Sequence, residues 1–306
     1  MAMIRGNFAD TLDPAIRTVF YDRYELEPAV RPNVFNDQTS DRNIEEDSGI
    51  TGLGLLTETS ELGALDYEDA LQIFKTTYTH KKYTKGIKIS QELVEDDQKN
   101  TIRRLPEALA RSTRRTEEFY GASVFNNAFT TANTSYGDGK PLASTSHTRV
   151  DGGTAQSNAS STGITLTETN LETARIAFRK QLDDKGQRIM TTPKTLLVPI
   201  DLGKTAQIIV GSNLRSGTAD NDVNVYAGKF SIVEWEFITS TTAWFLLGNK
   251  GDHLVTWNWR VRPQFKQDNS FDSDAALWKV RTRFSFGWSD WRSTWGSKGD
   301  GGAYTD

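Results

Sequence analysis

In the last third of the chain, apolar and polar residues alternate over unusually long runs. Along "LWKVRTRFSFGW", Trp278, Val280, Thr282, Phe284, Phe286 and Trp288 fall on one side, and Lys279, Arg281, Arg283 and Ser285 on the other. "WNWRVRP" repeats the pattern, with Trp257, Trp259 and Val261 opposite Arg260 and Arg262. A period of two marks a strand with one covered face, so two long strands are predicted. Earlier the period changes to about 3.6: Ile102, Leu105, Leu109, Ser112, Thr116, Phe119 and Ser123 form a narrow stripe. They predict a long helix from near Leu105 to about Phe129, roughly 35 Å, with Pro106 in its first turn. Glu107 with Arg111, and Arg114 with Glu118, are then pairs on its wet face. Ser90 is expected to cap a short acidic turn, "QELVEDD", before this helix.

Other segments carry weaker versions of the same signals. "DPAIRTVFYDRY" predicts a short helix with Asp13 as N-cap and Pro14 at its first position, and Ile16, Val19, Phe20 and Tyr24 on one face. Residues 25–49, rich in Asp and Asn, suit an extended arm lying on something else. Residues 49–90 read as a polar, two-stranded excursion with too little apolar content for a core of its own. Thr169 and Glu172 suggest a capping box for a helix burying Leu171, Ala174, Phe178 and Leu182, with Gly186 as its stop. "PKTLLVP" reads as a buried strand, "IDLGKTAQIIV" as a helix, "NLRSGTADNDVN" as a polar loop.

Composition narrows the function classes. The chain has 306 residues, no cysteine and a formal net charge of −4. The length supports substantial buried cores. Thiolate metal sites, cysteine nucleophiles and disulfide frameworks are excluded. Bulk charge does not draw the molecule to nucleic acid or acidic membranes, so any basic surface must be local. No apolar run approaches a membrane span, and "MAMIRGNFAD" lacks the apolar centre of a signal peptide.

Candidate chemistry is sparse. "YGDGKPLASTSHTRVDGGTAQSN" places Asp138, Ser144, Ser146 and His147 close together. It lacks the strand-turn-helix context of a nucleophile elbow, and a turn returning from the long helix explains it better. The adjacent pairs Asp96-Asp97 and Asp183-Asp184 are read as helix-end charges, because sequence neighbours do not flank a scissile bond. Three scattered His without Cys give no zinc spacing. The reading is therefore no enzyme, no cofactor and no metal. All eight Trp follow residue 230. A carbohydrate-binding platform built on them is the alternative to core packing, which their alternation favours.

The order of parts resembles a known family. "YTKGIKISQELVEDDQ" leads into "RLPEALARSTRRTEEFYGASVFNNAF"; "DGKPLASTSHTRVDGGTAQSN" follows, then "LTETNLETARIAFRKQLDDKGQRI" and "PKTLLVP". Together these cover about the middle half of the chain. They resemble the major capsid protein of tailed bacteriophages, of the Hong Kong 97-type α+β fold, and within it the Mu-like major head subunit group. The resemblance implies an N-arm (1–49), an extended loop (50–90), a peripheral domain with a long spine helix (91–165 and 250–306) and an α/β axial domain (166–249). The "DGKPLASTSHT" stretch becomes a connector. Ile102, Leu105, Leu109 and Phe119 become the packing stripe of the spine helix. Tyr78, Lys81, Lys82 and Lys85 fall in the loop and are candidates for inter-subunit contact; the lysine crosslinking of some relatives is not carried over. Arg260, Arg262, Lys279, Arg281 and Arg283 form a basic ridge that faces either a neighbouring subunit or DNA. The implied function is self-association, as hexamers and pentamers, into an icosahedral shell around non-specifically held double-stranded DNA. A scaffolding protein and a portal are the implied partners, since no coiled-coil leader precedes the arm. No membrane is involved: the expected location is the virion, with assembly in the host bacterial cytoplasm.

Overall fold

A computed structural model of the chain describes residues 6–90, 101–131, 136–214, 223–270 and 275–304; side chains are described from Ile16 onward, and not for 101–103 and 269. The acidic turn expected after Ser90 and the side chain of Ile102 thus lie outside the described residues.

The helical and extended elements are α1 (Gly6–Leu26), α2 (Arg31–Val34), β1 (Asn36–Thr39), β2 (Ile44–Asp47), β3 (Thr76–Thr79), β4 (Lys81–Ser90) and α3 (Thr101–Asn126). They continue with α4 (Glu168–Arg179), β5 (Thr195–Val198), α5 (Ile200–Ala206), β6 (Ser231–Glu234), β7 (Trp244–Leu247), β8 (Val255–Ser270), β9 (Ala275–Trp288) and β10 (Thr294–Ser297). The large sheet runs β1-β8-β9-β4, a second runs β10-β7-β5-β6, and β2 pairs with β3 alone. No described helix is long and apolar enough to cross a membrane.

The two long alternating strands are β8 and β9, antiparallel partners over nearly their whole length. Their alternation holds over Trp278–Phe284 of β9 and breaks elsewhere, since Thr256 and Asn258 of β8 are buried alongside Trp257 and Trp259. Ser285 is buried because its hydroxyl meets the His80 ring at 3.1 Å. Register shifts between Trp259 and Val261, and between Val261 and Gln264, place Val261 opposite Arg283. Since residues opposite one another in a ladder share a face, Val261 lies on the side away from Trp259, and the expected row of three is broken by bulges.

Three buried clusters hold these layers together. The first joins both four-stranded sheets through the C-terminal half of α3 and the turn after it: Ala122, Phe125 and, in the turn, Ala128 meet Leu197 and Phe245 of the second sheet and Trp257 and Phe284 of the first. The second lies under the β5-β7 sheet, where Leu171, Ala174 and Phe178 of α4 meet Leu196, Trp244 and Trp295. The third packs Phe20 of α1 and Leu109 and Ala110 of α3 on Ile89, Phe265, Trp278 and Val280. At about 1.5 Å per residue, α3 is a beam of about 39 Å under the large sheet.

Several sequence expectations are corrected. The helix α1 begins at Gly6 and runs through Asp13 and Pro14; α3 likewise begins at Thr101, with Pro106 inside it. A proline removes one hydrogen bond and bends a helix, a cost of about 3 kcal/mol that tertiary packing overrides here. Residues 25–49 are built into the fold: Val34 and Phe35 are core residues, and β1 runs parallel to β8. The N-cap of α4 is Thr167, whose side chain accepts from the Asn170 N–H, so Thr169 stands inside the helix. Leu182 and Gly186 (φ +76°) lie past its end at Arg179, with Gly186 in the turn closed by its N–H on the Asp183 carbonyl. Of the two-stranded excursion expected over 49–90, β3 and β4 are built into sheets, pairing with β2 and β9, while residues 51–71 form no strand and are closed at their base by Ile50 opposite Gln72.

Candidate functional site

The buried stripe of α3 is not the one that hydrophobicity marks. Leu109 is buried and Leu105 packs partly against the third cluster, but Phe119 is 57 % exposed. The face turned inward carries Pro106, Leu109, Ala110, Thr113, Glu117, Gly121, Val124 and Phe125. Two carboxylates, Glu117 and Glu118, occupy inward positions and are almost fully covered. Such groups survive burial only when hydrogen-bonded or paired. The Tyr24 hydroxyl donates to Glu117 at 2.7 Å, and the Arg114 guanidinium at 2.9 Å. Glu118 accepts the backbone N–H groups of Val30 and Arg31, at 3.3 and 3.1 Å. The Arg31 side chain continues to Asp37 and lies over the Trp257 ring at 4.5 Å. Burial pushes both carboxyls above the usual range, with the Tyr24 hydrogen bond opposing it at Glu117 and the Arg31 N–H and charge at Glu118. The expected wet-face pairs are rearranged accordingly: Arg114 pairs with Glu117, and Arg111 reaches Glu27. These residues form a clamp that fixes the N-terminal segment across the beam.

The stretch with His147 forms a joint. The His147 ring stacks on Trp291 at 4.2 Å, with Nδ1 3.0 Å from Asp138 Oδ2 and Nε2 3.0 Å from Asn158 Oδ1. The Asn158 amide is oriented by its own bonds: its Nδ2 donates to the Leu142 carbonyl and its Oδ1 accepts from the Ser144 N–H. Both ring nitrogens are thus engaged by partners of the fold. Burial alone would raise the Asp138 carboxyl, but the His147 bond and charge and the N–H groups of Lys140 and Thr148 outweigh it and hold it low. Asp184, read as a helix-end charge, is instead buried against Arg292 at 2.9 Å.

The surfaces of the large sheet gather the remaining candidates. Register places Lys279, Arg281 and Arg283 of β9 on one face with Lys82 of β4 and Lys266 of β8. Periodicity within single strands could not reveal the last two, because strand pairing brings them there. Arg260 and Arg262 fall in the bulged stretch; Arg260 lies 3.8 Å from Asp41, and the Arg262 guanidinium sits over the Trp259 ring at 5.5 Å. Lys81, Lys82 and Lys85 stand on β4, an edge strand, where lysines discourage further pairing. Tyr78 is buried on β3, stacked on Tyr136 at 5.6 Å. Between β4 and α3 lies a groove of about 890 Å³ lined by Tyr83, Phe119, Tyr120 and Phe237, with Lys82, Lys85 and Arg115 also lining it. All eight Trp are buried, so the aromatic platform for sugars is absent.

Comparison with known proteins places this architecture. No curated protein sequence matches the chain. Among solved structures, a chain of the capsid of bacteriophage JBD30 decorated with minor capsid protein trimers superposes with a TM-score of 0.54 at 13 % identity, over 78 % of this chain and 100 % of that one. The procapsid of the same phage gives 0.50 at 14 % identity, over 96 % and 76 %. A chain from Microbacterium phage Oxtober96 gives 0.52 at 10 % identity, over 86 % of each. At such identities the likeness is one of fold: mixed α and β, as in phage capsid subunits. A family model described as phage capsid protein matches residues 74–295, most of the chain and the greater part of both four-stranded sheets, and the chain accordingly belongs to the phage capsid protein family, as a major capsid subunit of the virion shell.

Proposed function

We infer that this subunit builds its shell from pentamers and hexamers, in the Hong Kong 97 manner and within the Mu-like major head subunit group. In this reading residues 1–49 are the arm, 50–90 the extended loop, 91–165 with 250–306 the peripheral domain, and 166–249 the axial domain. Assembly takes place in the host bacterial cytoplasm with a separate scaffolding protein and a portal. The shell then holds double-stranded DNA without reading its sequence. The subunit acts as a building block, with no catalytic step.

One observation carries the reading. The excursion displays Leu53, Leu55, Leu56, Leu62, Leu65 and Tyr67, each at least 62 % exposed. So many exposed apolar side chains on one segment mark a surface covered in an assembly. Replacing Leu55–Tyr67 by a short Gly-Ser turn tests it: the Gly54 N–H bonds the Glu68 carboxylate at 2.6 Å, so the ends are already together. The shortened subunit is expected to keep its helical signal and melting midpoint and to form no particles; intact shells from it would refute the assignment.

The basic face is assigned to contact between subunits, because directional charge pairing suits a shell whose members share modest apolar area. Arg281→Gln with Arg283→Gln is then expected to prevent empty shells from forming. Normal empty shells with weakened DNA retention at raised salt would place that face against DNA instead.

A further inference from the structure

The base of the excursion sits on a turn of its own chain, residues 183–187. This turn holds Asp183 and Asp184, the adjacent carboxylates that read in the sequence as helix-end charges. Asp183 Oδ1 accepts the backbone N–H groups of Lys185 and Gln187, at 2.9 and 2.7 Å, and Gly186 (φ +76°) supplies the left-handed residue. Further bonds pin the turn to the body of the subunit. The Arg149 guanidinium donates to the Asp184 carbonyl at 2.9 Å, and the Gln156 amide to the Asp183 carbonyl at 3.2 Å. Arg292 reaches the Asp184 carboxylate at 2.9 Å and the Leu182 carbonyl at 3.0 Å. Held from so many sides, the turn is a fixed post.

Both sides of the excursion meet this post. On the outgoing side, a methyl on Gly52 would lie 2.9 Å from Asp183 Oδ2. Glycine thus lets the backbone come close to a carboxylate whose other oxygen is already fixed. On the returning side, the Lys185 ammonium lies 2.8 Å from the Glu68 carboxylate and 3.4 Å from the Asp69 carbonyl. Glu68 in turn crosses to the outgoing side, where its second oxygen accepts the Gly54 N–H at 2.6 Å. The Lys185 bond first, and this N–H next, hold the Glu68 carboxyl below the usual carboxylate range. One ammonium therefore ties the two sides to each other and to the post. Apolar packing adds little, since Leu53, Leu55, Leu56 and Leu65 are exposed.

We propose that Lys185 is a latch: bound to Glu68, it fixes the direction of the excursion in the unassembled subunit, so that the segment to be covered on assembly is already in place. This rests on the shell-building reading and goes beyond it by naming what holds the excursion before any neighbour is present. Ordering a long exposed segment at the moment of association costs conformational entropy, and pre-organisation removes part of that cost. A partly wetted ion pair is weak, which bounds the effect. Releasing it lowers the fraction of subunits in the competent pose and raises the concentration needed for assembly in proportion, by about two- to fivefold.

The absence of native cysteine allows spin labels to be placed at chosen positions. Leu53→Cys, exposed beside the base of the excursion, and Thr173→Cys, on the exposed side of α4, are labelled together in unassembled subunits. Pulsed electron resonance is expected to give one narrow distance distribution. Lys185→Met is expected to widen it at unchanged melting midpoint, and Lys185→Arg, which keeps the charge, to leave it narrow. A distribution already broad with Lys185 present, or one that Lys185→Met leaves unchanged, would overturn the latch. Negative-stain microscopy over a concentration series reads the consequence: particles are expected to appear at about two- to fivefold higher concentration with Lys185→Met, and at the original concentration with Lys185→Arg. Widened distances with an unchanged threshold would overturn the pre-organising role. Distances that respond as expected in a chain that forms no particles even unaltered would support the latch and refute the shell reading.

Discussion

Leu109 and Phe119 lie on the same helix, both apolar, and the structure gives them opposite roles. Leu109 is 2 % exposed and enclosed by Phe20 of α1 on one side and Ile89, Trp278 and Val280 of the sheet on the other. Truncation to Ala leaves a cavity between a rigid sheet and a second helix, where collapse is limited. Leu→Ala losses span about 2.7–5 kcal/mol with the size of the residual cavity, and this site belongs in the upper part, about 3–5 kcal/mol. Phe119 is more than half exposed, and its aromatic partner is Tyr120, edge-on at 5.4 Å. Such a pair contributes about 0.5–1.5 kcal/mol, and the exposed ring adds little, so Phe119→Ala costs about 1 kcal/mol or less in the isolated subunit. The gap of at least about 2 kcal/mol is roughly thirtyfold in the folding constant. Urea denaturation of unassembled subunits measures it as a shift of midpoint at constant slope. Equal losses at the two positions, or a larger loss at Phe119, would refute the assignment of the inner stripe.

Three further outcomes follow from the same geometry. Glu118→Ala orphans the buried N–H groups of Val30 and Arg31 and is expected to cost about 3 kcal/mol. Glu118→Gln keeps an acceptor without the charge, so it costs less than about 1 kcal/mol and removes the loss of stability that a raised carboxyl imposes as pH rises from its unfolded value through its folded one. Glu172 is held down to about 2 by its Arg175 bond, against burial and with help from Tyr226, so its contribution is present above the unfolded value near 4.5 and fades as pH falls through 2; Glu172→Gln flattens that acid limb, by less than about 1 kcal/mol because the pair is partly solvated, and an unchanged limb in acid titration of stability would contradict it. A methyl on Gly299 (φ +70°) would lie 2.0 Å from the Thr242 carbonyl oxygen, whereas one on Gly228 (φ +68°) meets nothing within 4 Å. Gly299→Ala should therefore lose soluble protein, and Gly228→Ala only the left-handed penalty of about 1–2 kcal/mol; equal effects would show that the clash is relieved.

What the sequence disclosed follows from where periodicity and burial agree. β8 and β9 were legible because one face of each packs on a core, so side-chain chemistry alternates with the pleat. The bulges after Trp259 were not, since an extra residue leaves composition unchanged while moving Val261 and Arg262 out of step. On α3 the pattern misled because Glu117 and Glu118 take inward positions that solvation preference assigns to water, and Phe119 takes an outward one. Besides the nearby Arg114, partners distant in sequence, Tyr24, Val30 and Arg31, make those carboxylates acceptable. The joint was partly legible: Asp138 and His147 stand close together in the sequence, while Asn158 and Trp291, which occupy the ring, come from further along the chain. The basic face is a product of strand pairing, so Lys82 and Lys266 joined it only once register was known.

Self-association into a shell is the property on which everything else here depends. Negative-stain microscopy of the purified, full-length protein addresses it most directly. The account predicts closed shells or rings of five and six subunits, built from a chain whose excursion is covered on assembly. A uniform population of small oligomers, forming no particles and retained on immobilised polysaccharide, would contradict it.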